Sequence, residues 1–180
     1  MLLVVAATER ELGSVRGAAT FVCGVGPVDA AIATVGRLAV GDVTAVLHVG
    51  IAGARTLEPL TLVLGSEAVY CDVIDPGSTF PRGERVVPDA ALLAAASAAL
   101  PEARLEPIAT SGRLGGGAGY DVEAMEGFGV LRAAALAGVP AVELRAISNA
   151  VGEPDRAKWR FDDAIAALGD AVARLAPSLS

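Results

Sequence analysis

Short apolar runs alternate along this chain with longer stretches rich in alanine, and this alternation restricts the fold more than any other feature. Residues 2–7 and 45–50 form almost continuous apolar runs, as expected of strands buried on both faces of a sheet. Between them, residues 28–39 place apolar side chains at three- and four-residue steps, the periodicity of a helix. The pattern predicts an α/β fold made of layers.

The rest of the chain continues this alternation without an internal repeat or a long linker. Further strands are predicted at residues 20–24, 60–69, 107–110 and 141–147, and further helices at residues 9–15, 88–100, 123–137 and 157–175. Proline and glycine mark residues 75–87 as a loop, and residues 115–119 are rich in glycine. Because 180 residues can bury a substantial core, we expect one domain over residues 1–180.

The composition predicts a globular protein that binds neither nucleic acid nor a membrane. Hydrophobic residues make up 53% of the chain and charged residues only 19%, which is too apolar for a disordered protein. The formal net charge is −7, whereas nucleic acid and anionic membranes attract basic surfaces. The N-terminal apolar run is far shorter than the ~20 residues of a membrane helix, so we expect a cytoplasmic protein.

The cysteine and histidine content gives no sign of a metal or another cofactor. Cys23 and Cys71 are too few for a disulfide framework and are expected to be buried, reduced thiols. His48 is the one histidine, which argues against most metal sites and against a histidine-based catalytic triad. We expect His48 to lie in the core or at the edge of a site.

Polar side chains stand at the edges of two apolar segments near the C-terminus. Glu126 follows Met125 at the start of a predicted helix, and Asn149 follows Ser148 at the end of a predicted strand. A carboxylate can accept hydrogen bonds from two sugar hydroxyls, and a carboxamide can face the edge of a purine. The sequence therefore predicts a nucleoside site at the carboxyl ends of parallel strands, where open α/β sheets bind their ligands.

Glu11 follows the first predicted strand and is a candidate general base for a water molecule. The alternative is that Glu9 and Glu11 only complement the dipole of a short helix. Asn149 has a similar alternative, because asparagine often turns the chain after a strand. If Asn149 does face a base, its NH₂ group suits the O6 and N7 acceptors of a 6-oxopurine such as hypoxanthine.

Five segments, in this order, resemble the purine nucleoside phosphorylase and nucleosidase superfamily. They are MLLVVAATERE, VCGVGPVDAA, HVGIAG, VEAMEG and RAISN. Within that superfamily, the segment RAISNAVGEPDRAKW most resembles the futalosine hydrolases, which remove hypoxanthine from futalosine in menaquinone biosynthesis. The resemblance implies an α/β fold with three αβα layers around a central mixed sheet, usually in a homodimer or larger oligomer, and a nucleoside as the small-molecule substrate.

The resemblance also implies roles for particular residues. Two residues would be catalytic: Glu11 would activate the attacking water, and Asn149, oriented by Ser148, would hydrogen-bond the base. Met125 and Glu126 would hold the ribose, with Ile51 and Ala52 near the sugar and the nucleophile. Relatives that cleave adenine nucleosides carry aspartate in place of Asn149.

One segment departs from the family pattern and leaves the aromatic contact to the base unassigned. The stretch SGRLGGGAGYD, before the VEAMEG motif, is short and rich in glycine, where the family has a longer segment. Candidates for the contact are Phe128, Tyr120 and the backbone near Arg113 and Leu114. Trp159 is a candidate for the pocket wall or for helix packing.

Three other functions are compatible with the motifs. A methylthioadenosine/S-adenosylhomocysteine nucleosidase is disfavoured by Asn149, and a nucleoside-binding protein without activity is disfavoured by the presence of both Glu11 and Glu126. Phosphorylases of the superfamily hold phosphate with an arginine after the first strand. Here Arg10 is the cation at that place, but it lies between Glu9 and Glu11, which disfavours phosphate binding and therefore a phosphorylase.

Overall fold

The computed structural model describes residues 1–73, 84–117 and 119–179. Most of the loop predicted at residues 75–87 lies outside the described residues, but Arg85–Val86 near its end form a short strand, so that part of the prediction was wrong. Eight strands and five helices alternate along the described chain: β1 Leu2–Ala6, α1 Glu9–Leu12, β2 Ala19–Val22, α2 Pro27–Leu38, β3 Ala45–Ala54, β4 Leu62–Tyr70, β5 Arg85–Val86, α3 Ala90–Ala99, β6 Arg104–Thr110, β7 Val122–Ala124, α4 Gly127–Leu136, β8 Ala141–Ala150 and α5 Phe161–Leu175.

The strands form one mixed sheet, as predicted. Strand β1 pairs in parallel with β2 and β3, and β3 pairs in parallel with β8. Strand β4 runs antiparallel to β8 and parallel to β6, and the short β7 joins β6 to the far end of β3. This last pairing curls the sheet, so that the ends of β3, β7 and β8 meet on one side.

Helices cover both faces of the sheet, which confirms the three-layer αβα prediction. One core cluster joins the sheet to α3 and α5 through side chains such as Ala96, Leu168 and Val172. A second cluster joins the opposite face to α2 and α4 through side chains such as Leu38 and Val130. Among the described residues, no helix is both long and apolar enough to cross a membrane.

Two of the predicted boundaries that were wrong lie at glycine-containing motifs. The segment from Gly50 to Gly53 was expected to end its strand, but β3 continues through Ala54 because β7 and β8 both supply partners there. Residues 123–137 were predicted as one helix, but Glu123 belongs to β7 and the helix begins at Gly127. Both errors arise from strand pairing that local periodicity does not show.

A β-bulge in β8 lies beside the predicted nucleoside site. Ala52 of β3 pairs with Ile147, but the next residue, Gly53, pairs with Asn149, which leaves Ser148 as an extra residue. A bulge bends its strand and changes the direction of its side chains. The sequence predicted that this strand ends before Asn149. In the structure it continues through Ala150.

Candidate nucleoside-binding site

A cavity of about 570 Å³ opens where β1, β3, β7 and β8 end. Its volume falls within the usual range for small-molecule sites. Both residues predicted to be catalytic, Glu11 and Asn149, line it. Six of the seven predicted binding residues also line it: Ile51, Ala52, Met125, Glu126, Ser148 and Trp159.

Phe128 is the predicted site residue that the structure places elsewhere. It does not line the cavity, and its ring stacks on Tyr70 with centroids 5.3 Å apart, against the core cluster beside α4. The Phe128 backbone N–H donates to Thr110 Oγ1 at 2.8 Å, which fixes the first turn of α4 in this orientation. Phe128 therefore packs in the core, and the aromatic groups at the cavity are Trp159 and Phe161.

Glu11 is held at the cavity by the start of α1. Thr8 is the N-cap of this short helix, and the Glu11 side chain completes a capping box with it. Glu11 Oε2 accepts from Thr8 N–H at 3.1 Å and from Thr8 Oγ1 at 2.9 Å. Glu11 Oε1 accepts from Ile51 N–H at 3.1 Å, so the carboxylate joins α1 to β3. The same geometry that places Glu11 in the cavity wall also keeps its carboxylate in the first turn of α1, as the helix-dipole alternative expects.

Glu126 is held by the turn between β2 and α2. Its Oε1 accepts from Gly26 N–H at 3.1 Å. Gly26 is the N-cap of α2 with a φ of 94°, a conformation that favours glycine. Burial raises the pKa of Glu126, and the nearby Arg145 guanidinium opposes this shift. Burial also raises the pKa of the neighbouring Cys23 thiol to about 12, so this thiol stays protonated.

Arg145 is a buried residue of the site region that the sequence analysis missed. It is completely buried, and its Nη1 lies 3.6 Å from Glu126 Oε2 and donates to Ile51 O at 3.4 Å. Burial disfavours its charge, but Glu143 and Glu126 outweigh that effect and raise the Arg145 pKa. The sequence could have shown this, because an arginine stands within the apolar run of β8. An arginine buried in a sheet requires anionic partners nearby.

Ser148 and Asn149 form one wall of the cavity. Ser148 Oγ lies 2.7 Å from Asn149 Oδ1, to which it donates, and 3.2 Å from Ala52 O. Asn149 Nδ2 donates to Ala150 O at 3.0 Å. The serine hydroxyl thus fixes the orientation of the amide, and the NH₂ group keeps one N–H for a ligand.

Cations and aromatic rings form the rim of the cavity. The rings of Trp159 and Phe161 lie 5.2 Å apart, and Trp159 Nε1 donates to Glu153 O at 3.1 Å. The Arg156 guanidinium lies over the Trp159 ring at 5.5 Å, and that of Arg10 lies over Phe161 at the same distance. Arg10 is paired with Asp162 at 2.6 Å, whereas Arg156 forms no ion pair with any residue that the structure describes.

The glycine-rich segment closes another side of the cavity. Arg113, Leu114 and Glu123 line it, and Glu123 accepts from Gly115 N–H at 2.6 Å and Gly117 N–H at 3.2 Å. The β7 carboxylate therefore fastens this segment to the sheet. Nowhere in the described ranges do three or more histidine, cysteine or acidic side chains group in a way that could hold a metal ion.

Comparison with known proteins assigns the chain to a family. The model of the phosphorylase superfamily matches residues 8–120, well over half of the chain. The chain belongs to the phosphorylase superfamily. Among curated members, it is 67% identical to the futalosine hydrolase of Streptomyces coelicolor and 47% identical to that of Thermus thermophilus, each over 57 residues. These matches cover 32% of this chain and span about a quarter of the relatives, 24% and 25% of their lengths.

Solved structures show that the superfamily fold extends along the chain. A futalosine hydrolase mutant of Helicobacter pylori superposes with a TM-score of 0.88 at 17% identity, covering 99% of each chain. The methylthioadenosine/S-adenosylhomocysteine nucleosidase of Colwellia psychrerythraea, solved in complex with adenine, superposes with a TM-score of 0.84 at 19% identity. This second match covers 99% of this chain and 95% of the nucleosidase. At these identities, the likeness concerns the fold.

Proposed function

We propose that this member of the phosphorylase superfamily hydrolyses the N-glycosidic bond of a purine nucleoside, and that the nucleoside is futalosine. The observation that carries the proposal is the pair of buried carboxyl groups on the cavity wall, Glu11 and Glu126. Each is held by a backbone N–H from a neighbouring element, Ile51 and Gly26 respectively. Pre-oriented groups of this kind can act on a substrate without rearranging during the reaction.

Glu11 is the proposed general base. Its Oε2 accepts two hydrogen bonds, but its Oε1 accepts only one, from Ile51 N–H, which leaves an acceptor position for a water molecule. That water attacks C1′ of the sugar and gives a proton to Glu11. The bond from C1′ to the base nitrogen breaks, and its electron pair leaves with the purine, which then takes up a proton from solvent.

Glu126 is the proposed partner of the ribose hydroxyls. Its Oε1 accepts from Gly26 N–H, while its Oε2 lies 3.6 Å from Arg145 Nη1, beyond hydrogen-bond distance, and accepts no hydrogen bond from the described residues. Oε2 can therefore accept from the 2′- and 3′-hydroxyls. Met125, which also lines the cavity, would pack against the sugar ring.

Asn149 is the proposed reader of the base. Because the Ser148 hydroxyl donates to Oδ1 and so fixes the orientation of the amide, Asn149 presents an N–H donor to the ligand. A 6-oxopurine offers acceptors at O6 and N7, whereas an adenine has an NH₂ donor at position 6. The amide also stabilises the negative charge that develops on the departing oxopurine.

The cavity rim supports futalosine, whose arm ends in a benzoate. Arg156 is a cation without an ion-pair partner among the described residues, and it lies over the Trp159 ring. A guanidinium and an aromatic face together suit an aromatic carboxylate. The names of the two curated relatives support the same substrate, although only over the matched 57 residues.

The first experiment is base release from futalosine, inosine and methylthioadenosine in phosphate-free buffer, followed by chromatography. We expect hypoxanthine from futalosine in preference to inosine, and no adenine from methylthioadenosine. Faster release of adenine would replace the proposal with a methylthioadenosine/S-adenosylhomocysteine nucleosidase. Calorimetric binding of a nucleoside without release of any base would indicate a binding protein.

The role of Arg156 is tested by Arg156→Gln, with inosine as the control substrate because it has no benzoate arm. We expect KM for futalosine to rise roughly tenfold, as for loss of a charge-assisted hydrogen bond, and KM for inosine to stay within about twofold. An equal change for both substrates would remove Arg156 from recognition of the arm.

A further inference from the structure

A row of completely buried polar side chains lies behind the nucleoside cavity. It consists of Glu143 and Arg145 from β8 and His48 from β3. Glu143 and Arg145 are two residues apart on one strand and so project from the same face. His48 is the cross-strand neighbour of Glu143. None of the three lines the cavity, and the chemistry proposed above does not use Glu143 or His48.

The Arg145 guanidinium connects this row to the site. Its Nε donates to Glu143 Oε1 at 2.8 Å, and its Nη2 lies 3.3 Å from the ring nitrogens of His48. On the other side, Nη1 lies 3.6 Å from Glu126 Oε2. A guanidinium is planar and rigid, so contacts that fix Nε and Nη2 also fix the position of Nη1.

His48 and Glu143 are suited to hold a cation. Burial, and then the Arg145 charge, keep the pKa of His48 well below its usual value, so the imidazole is neutral and can accept a hydrogen bond. Glu143 accepts through Oε1, but its Oε2 has no hydrogen-bond partner among the described residues. Gly127 leaves the space for this carboxyl group, since a Cβ there would collide with it. A buried carboxyl oxygen without a partner costs stability, which favours a functional reason for Glu143.

We propose that Glu143 is a positioning residue which, together with His48, fixes Arg145 and thereby orients Glu126 toward the sugar of the nucleoside. The inference rests on the proposed function, because it assigns Glu126 to the ribose. Glu143 touches no substrate and acts only through the guanidinium.

The charges around Glu126 determine the direction in which its pKa changes when Glu143 is replaced. Glu126 is faced by Arg145 and Glu143 from β8, by Glu11 from α1, and by the protonated Cys23 that follows β2. Burial raises the Glu126 pKa most, Arg145 opposes this, and the Glu11 and Glu143 charges add to it. Replacing Glu143 by glutamine, which removes this charge but keeps an acceptor that holds Arg145 in place, therefore lowers the pKa of Glu126. Since the ionised form of Glu126 binds the sugar, activity then persists to lower pH.

Two variants of Glu143 separate its hydrogen bond from its charge. Glu143→Gln keeps an oxygen acceptor for Arg145 Nε, whereas Glu143→Leu removes it. We expect Glu143→Leu to raise the nucleoside KM roughly tenfold, and Glu143→Gln to keep KM within about threefold while shifting the acid limb of kcat/KM to lower pH. The matched control is Thr34→Val in α2. Like Glu143 Oε2, Thr34 Oγ1 is a buried oxygen without a hydrogen-bond partner among the described residues, but Thr34 lies outside the cavity. This control should leave both KM and the acid limb unchanged.

A double-mutant cycle tests whether Glu143 acts through Glu126. In a Glu126→Gln background, Glu143→Leu should add less than about threefold to KM, because the group that it positions is already altered. Equal effects of Glu143→Leu in both backgrounds would overturn the inference. If Glu143→Leu does not fold, Glu143→Ala takes its place in the cycle, and equal effects in both backgrounds would again overturn the inference.

Failure of the proposed function gives a different result from failure of this inference. If the wild type releases base but both Glu143 variants keep its KM and acid limb, the positioning role is wrong and the function stands. If the wild type releases no base, the function is wrong, and calorimetry with inosine then tests positioning directly. Roughly tenfold weaker inosine binding by Glu143→Leu would support it, and unchanged binding would overturn it.

Discussion

At the scale of single residues, Glu11 combines a structural contact with a chemical one. Its Oε2 caps α1 through Thr8, while its Oε1 faces β3 and the cavity. From the sequence, a role at the start of α1 and a role in catalysis were alternatives for Glu11. In the structure one carboxylate can serve both, because α1 begins shortly after β1 and at the cavity. An activity assay on Glu11 must therefore include a control for the stability of α1.

We predict that Glu11→Gln lowers kcat by about 10²–10⁴-fold, because an amide cannot accept the proton of the attacking water. Nucleoside binding, measured by calorimetry, should stay close to the wild-type value. The control is Glu9→Gln, which changes an exposed carboxylate of the same helix and should leave kcat unchanged. Near-normal turnover of Glu11→Gln would remove this residue from the mechanism.

Asn149 belongs to the same scale, since one atom distinguishes it from aspartate. We predict that Asn149→Asp shifts the preference from 6-oxopurine toward 6-aminopurine nucleosides, because the carboxyl group can accept from an amino group. The measurement is the ratio of kcat/KM for inosine to that for methylthioadenosine. If this ratio does not change, Asn149 does not contact the base at position 6.

At the scale of secondary-structure elements, much of the fold could be predicted from local sequence. Local patterns identified four of the elements. Apolar runs predicted β1 and β8 because these strands are buried on both faces, and helical periodicity predicted α2 and α5 because each helix buries one face. Strand β7 and the C-terminal half of β3 were missed because their partners come from distant parts of the chain. The buried contacts of Arg145 were missed for the same reason, as they depend on the register between β3 and β8.

Gly50 shows why that register matters to the site. It lies opposite Arg145 in the pairing of β3 and β8. A Cβ at Gly50 would collide with the Arg145 guanidinium and would lie 2.9 Å from Glu11 Oε1. The glycine is therefore required by the approach of two charged side chains to the strand.

We predict that Gly50→Ala lowers the free energy of unfolding by about 1–3 kcal/mol, as for other overpacked sites, and also reduces kcat/KM. The control is Gly36→Ala on the exposed face of α2, where a Cβ would meet nothing within 4 Å. That change should raise the free energy of unfolding by roughly 0.5–1 kcal/mol, because alanine favours helix more than glycine does. Urea unfolding measures both, and an unfolding free energy of Gly50→Ala equal to that of the wild type would contradict the packing described for β3.

At the scale of the whole molecule, association of identical chains stays a prediction. Helix α2 exposes Val28, Ile32 and Val35 at helical spacing, with exposed fractions of 63%, 68% and 52%. Val25, just before this helix, lines the cavity, so the exposed aliphatic face is continuous with the site. This is the surface that we expect to be buried in a homo-oligomer.

We predict that Ile32→Asp shifts the protein toward the monomer, because a charge on an apolar interface is costly to bury. Light scattering after size-exclusion chromatography gives the mass of each species. The control is Val40→Asp, which changes another exposed aliphatic residue beyond the end of α2. An identical mass for the wild type and Ile32→Asp would exclude this face as the interface.

The chemistry proposed for this cavity is cleavage of a glycosidic bond by water. The most direct test is the reaction of the wild-type protein with futalosine in ¹⁸O-labelled water without phosphate, followed by mass spectrometry of both products. We predict one hypoxanthine for each sugar product, with a single labelled oxygen at C1′. Absence of hypoxanthine unless phosphate is added, together with a sugar 1-phosphate, would show a phosphorylase and contradict this account.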